Sequence, residues 1–229
     1  MSVFSKPKTR EQHLAEISHA VTALGCSVVP PEMSYALLAP HLPKLEHAVP
    51  ERYGMGAVGK VNEHKFAIVT GEYRERHGKG KVRVRDVVLA IVEHPNIQGT
   101  AGLYRDWKHS TAGAIIDKLL WIPPFTIIKM LQVALDKKMP DIVIGEPAFD
   151  SMFKVHSESL ALAQQAVPPA ARRYLVESNF DGTIVARPGV LIYKLEGARS
   201  DVESITAAIA AVRPLLEAFA ASSSDHPMR

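Results

Sequence analysis

Asp141-Ile-Val-Ile-Gly-Glu-Pro-Ala-Phe-Asp-Ser-Met-Phe-Lys-Val-His-Ser157 packs a short apolar strand, a forced turn and a second apolar segment into one run. Ile142, Val143 and Ile144 are β-branched and bounded by Pro140 and Gly145, and Glu146-Pro147 then opposes both continued pairing and an immediate helix. Phe149 and Phe153 stand four apart, so one helical turn puts both rings on one face. Lys154-Val155-His156 leads out in extended form. Strand, one-turn connector and strand is a statement about architecture, and the stretch carries no catalytic signature.

Working outward, the chain has 229 residues, 47% of them apolar, which is enough for one large domain, or a small one plus an appendage, with a sizeable core. A formal charge of +3 neither demands nor excludes a nucleic-acid partner, so any basic site is local. Cys26 is the only cysteine, which excludes an intramolecular disulfide and a thiolate metal cluster and fits a reducing compartment. Lys6, Lys8 and Arg10 are not followed by the apolar core of a secretory signal, and a cytoplasmic location is the expectation. Residues 113–135 are apolar enough to raise the membrane question. Asp117, Lys118, Lys129 and Pro123-Pro124 answer it in favour of two shorter helices, 111–121 and 125–137, forming a hairpin on a sheet. Trp121 and Phe125 at its hinge keep open a contact with a membrane surface.

Thr9 is placed to cap a helix with apolar positions Leu14, Ile17, Val21 and Leu24, ended by Gly25. Residues 1–50 read as a helical N-terminal appendage, 51–221 as an α+β domain, and 222–229 as a disordered tail. Gly54, Gly56 and Gly59 imitate a dinucleotide-binding loop, but no apolar strand precedes them and 60–69 reads as a strand where a helix is required. A glycine-rich strand or bulge is the better account. Helices follow at 158–166 and 170–178, with Arg172 and Arg173 read as solvated cations at the start of the second. A hairpin turns at Arg187-Pro188-Gly189, and a closing amphipathic helix spans 201–221 with a bend at Pro214. The fold class is therefore α+β: an antiparallel sheet of about six strands, covered by the helical hairpin and the C-terminal helix.

The clearest hairpin joins 66–76 to 81–92 through His77-Gly78-Lys79-Gly80 and carries the candidate binding surface. Lys79, Lys81, Arg83 and Arg85 alternate with Gly80, Val82 and Val84, and Arg74 and Arg76 approach from the other strand. Such a surface suits an acidic protein partner, the expected function being a non-enzymatic interaction module. Nucleic acid and anionic lipid offer the same charge, but Tyr73 is the only aromatic nearby for stacking on bases. A solvated outer face, charged against edge pairing, accounts for the same pattern. The second class is a small-molecule-binding domain or enzyme with a pocket between sheet and helical hairpin, using Glu146, Asp150 and His156. Asp150 reads first as a turn acceptor for nearby N–H groups.

Glu-His occurs at 46–47, 63–64 and 93–94, and neighbours in a strand point to opposite faces, so no single pair shares a proton or metal. HExxH, G-x-S-x-G, a Walker A loop and CxxC are absent, and no cofactor or metal is expected. The run Gly145-Glu-Pro-Ala-Phe-Asp-Ser-Met-Phe-Lys-Val155, followed by the Val167-Pro168-Pro169 break, a hairpin and a closing helix, resembles the bacterial DUF3137 family. The resemblance implies an α+β domain and no assigned activity, so no catalytic residue is carried over. Family members that carry N-terminal membrane helices differ from this chain, where none is read ahead of Tyr53, and the helical insertion at 111–137 is a second departure from that layout.

Overall fold

The computed structural model describes residues 9–38, 52–77, 81–106, 139–195, 198, 199 and 201–221. The hairpin helices at 111–137 with Trp121 and Phe125, the Glu46-His47 dipeptide and Lys79 lie outside them.

Alternating apolar residues in long β-branched runs build a sheet of ten strands. These are β1 (Ser27–Val29), β2 (Arg52–Tyr53), β3 (Gly56–Val61), β4 (His64–His77), β5 (Lys81–Glu93), β6 (Ala101–Arg105), β7 (Asp141–Ile142), β8 (Phe153–His156), β9 (Gly182–Arg187) and β10 (Val190–Leu195). Nine lie in the order β1-β3-β4-β5-β10-β9-β6-β8-β7, with β2 beside β4, and every pairing is antiparallel. The helices among the described residues are α1 (Arg10–Ala23), α2 (Pro31–Leu38), α3 (Pro147–Met152), α4 (Leu160–Ala166), α5 (Pro169–Glu177) and α6 (Val202–Ala220). The α+β class stands, with more strands than the six expected.

The period of two in β4 and β5 sends successive residues to opposite faces, and both faces are buried. Ile68, Ala90 and Val92 join Ile17 and Val21 of α1 and Ile205, Val212 and Leu216 of α6 in one core. Val69, Leu89 and Ile91 join Val185, Ile192 and Met139 on the other face. α1 starts on a capping box between Thr9 and Gln12, and α6 on the Asp201 carboxylate, which accepts from the Ser204 N–H. The N-terminal segment is more than an appendage: between its helices it supplies β1, which pairs with β3 at the sheet edge.

The glycine-rich stretch is a strand with a break in it. A Cβ on Gly56 would come within 2.5 Å of the Ile68 carbonyl, and one on Gly54 within 2.3 Å of the Thr70 hydroxyl. The expected strand 60–69 is instead two, because Asn62 and Glu63 take φ of 47° and 68° and close a two-residue turn between β3 and β4. Left-handed backbone strains a glutamate, so Glu63→Gly is expected to raise stability by up to about 1 kcal/mol, read as a higher Tm. The pair it gives up, Lys60–Glu63 at 3.9 Å, is largely exposed and contributes little.

Candidate functional site

The basic hairpin is the longest pairing in the sheet. β4 and β5 run 14 and 13 residues, in unbroken register from Phe66↔Val92 to His77↔Lys81. On its outer side β4 is paired as far as Glu72, by β3 and then β2. On the other side β10 reaches β5 only from Leu89 to Glu93. Among the described residues, the remainder of the hairpin therefore has no third strand beside it and forms a two-stranded ribbon. Val84 on it is 53% exposed.

Register divides the cations that the sequence grouped. Lys81, Arg83 and Arg85 stand opposite His77, Glu75 and Tyr73, whereas Arg74 and Arg76 stand opposite Val84 and Val82. Directly opposed residues occupy one face of an antiparallel pair. Three cations thus hold register positions on one face, with Glu75 among them, and two hold positions on the other.

Glu146, Asp150 and His156 do not converge. Glu146 pairs with Arg172 at 2.6 Å. Arg172 is buried, and its guanidinium also donates to the Val167 carbonyl at 2.6 Å, which corrects its reading as a solvated cation. Asp150 acts as the turn acceptor: its carboxylate takes the N–H groups of Ile144 at 3.0 Å and Gly145 at 2.8 Å. His156 alternates with Phe153 and Val155 of the helix-covered core and so belongs to the opposite face of the sheet.

On that face His156 has company the sequence did not announce. Its Nδ1 lies 2.8 Å from the Asp141 carboxylate, and Tyr104 stacks on its ring with centroids 5.6 Å apart. The carboxylate fixes a proton on Nδ1, and Nε2 is buried without a hydrogen bond among the described residues. Burial, followed by the carboxylates of Asp141 and Asp106, pushes the Tyr104 phenol up, so it stays protonated. The arrangement can orient an imidazole; Cys26 lies beside β1 at the other end of the sheet, and burial raises its thiol and makes it a poor nucleophile.

A second pair comes from two of the Glu-His repeats. The rings of His64 and His94 approach to 3.9 Å between centroids, and His94 Nδ1 accepts the Asn96 N–H at 3.1 Å. The repeats were visible in the sequence; the register that aligns them was not. Burial, and then the charge of His64, lower the His94 pKa. The folded protein therefore resists a proton that the unfolded chain accepts, and stability falls as pH drops from the ordinary imidazole range towards the lower folded value. His94→Gln is expected to flatten the dependence of Tm on pH between about pH 5 and 7. His64→Gln should raise the His94 midpoint, measured by NMR titration, only part of the way, because burial is the larger cause.

Among the described residues, no three His, Cys, Asp or Glu side chains group into a metal site, and no helix is long and apolar enough to cross a membrane. Comparison with family models, curated proteins and solved structures finds no match to this chain.

Proposed function

We propose that the protein is a non-enzymatic interaction module whose β4–β5 ribbon binds an acidic protein partner. The observation that carries this is the paired ribbon running on beyond its neighbouring strands with Lys81, Arg83 and Arg85 at alternate positions on one face. Arg74 and Arg76, at register positions on the other face, add positive charge to the ribbon, and Lys79 belongs to the same basic stretch in sequence. A backbone already paired as two strands lowers the ordering cost of binding, and clustered cations steer an acidic partner and set its register.

Protein is favoured over nucleic acid by what stands among the cations. Glu75, at a register position opposite Arg83, would set a like charge against a phosphate backbone, and Val84, 53% exposed on the ribbon's other face, offers an apolar contact of the kind protein interfaces use. Replacing Lys81, Arg83 and Arg85 together with glutamate is expected to weaken partner capture at least tenfold, with far-UV circular dichroism unchanged. The check is a pull-down from nuclease-treated lysate beside the wild type and the Arg74→Glu/Arg76→Glu variant, with bound proteins identified by mass spectrometry. Retained binding in the triple variant would move the site elsewhere, and capture that depends on nucleic acid would replace the protein partner with a nucleic-acid one.

A further inference from the structure

A groove of about 550 Å³ lies at the β1 end of the sheet, on the face away from α1 and α6. Its floor is one cross-strand row, Ser27↔Val58, Val58↔Ala67 and Ala67↔Ile91, running over four strands. Serine and alanine keep that row low, and Leu37 of α2 stands beside it. The size lies in the range of small-molecule sites.

The other margin is charged in an unusual way. Lys60 and Lys65 are direct cross-strand partners, and both line the groove. Like charges directly opposed in an antiparallel pair are destabilising, and an anion lying between them removes that cost. Two carboxylates stand near them. Glu63 reaches Lys60 only at 3.9 Å in an exposed pair, and Glu93, which the β4–β5 register sets across from Lys65, is the acidic group among the described lining residues, so the three groove-lining charges leave a net excess of one cation.

We infer that this groove binds a small amphipathic carboxylate, its apolar body on Val58, Ala67 and Ile91 and its head between Lys60 and Lys65. An apolar floor excludes a highly charged ligand, whose shell of water it cannot replace, and the two lysines favour an anion over a neutral chain of the same shape. The site lies away from the ribbon tip and is independent of the partner-binding reading.

Decanoate and decanol are the probes, titrated into the full chain by isothermal calorimetry and followed by amide chemical shifts. Saturable decanoate binding, at least tenfold tighter than decanol and shifting Ala67 and Ile91, is the expected result. Lys60→Ser/Lys65→Ser should bring decanoate down to the decanol level. Ala67→Phe should abolish both, and Ser27→Trp, at an exposed position, fills the groove from its rim if the phenylalanine does not fold. Absence of saturable binding, decanoate affinity unchanged in the lysine variant, or wild-type binding in a folded groove-filling variant would each overturn the inference.

Discussion

Phe153→Ala is expected to remove about 4 kcal/mol from the unfolding free energy, the middle of the range for deleting a buried phenylalanine. Its ring is 2% exposed and stacks on Phe149, 1% exposed, with centroids 5.1 Å apart and planes 19° from parallel. The pair also closes the junction between β8 and α3, so truncation opens a cavity that two rigid elements cannot collapse to fill. Urea unfolding should show a lower midpoint with an unchanged slope, the mark of lost stability without a change in the denatured state. Phe153→Leu, which keeps much of the volume, should lose less. A loss below about 1 kcal/mol for the alanine variant would mean that the ring does not anchor this part of the core.

Why that cluster was legible and other features were not follows from the distance over which each is decided. Phe149, Asp150 and Phe153 act within one short turn, and their spacing alone announces a shared face and a carboxylate near free N–H groups. The Thr9 cap, the closing helix with its internal Pro214 and the Pro188-Gly189 hairpin are local in the same way. The faces of the basic ribbon are not. Opposed residues in β4 and β5 share parity, as His77↔Lys81 and Arg74↔Val84 show, and a slip of one residue would have put Arg74 and Arg76 with the other cations. Nothing in the alternation of Lys81, Arg83 and Arg85 chooses between those registers. The same pairing aligns His64 with His94, so one undetermined register hid both features. Asp141 and His156 meet through a further pairing, of strands too short to be read separately from their turn. β1, three residues between a glycine and two prolines, becomes a strand only because β3 lies beside it.

Arg172 shows how a residue type can point the wrong way. A cation in the first turn of a helix opposes the macrodipole, which favours solvation, yet its side chain is 8% exposed while Glu146 opposite it is 47% exposed. That asymmetry fixes an order of effects. Glu146→Ala leaves a permanently charged guanidinium buried with only the Val167 carbonyl, and is expected to destabilise by about 2 kcal/mol, below the range for a fully buried pair because the carboxylate is half in water. Arg172→Met keeps most of the volume and releases Glu146 to solvent, so its loss should be smaller, about 1 kcal/mol, from the unbonded Val167 carbonyl. The double variant should then be no less stable than Arg172→Met alone, the second substitution rescuing the first. Urea midpoints of the four proteins close the cycle. Additive losses would mean that Glu146 contributes through its backbone turn ahead of Pro147, and that the buried arginine is held by Val167 and its packing alone.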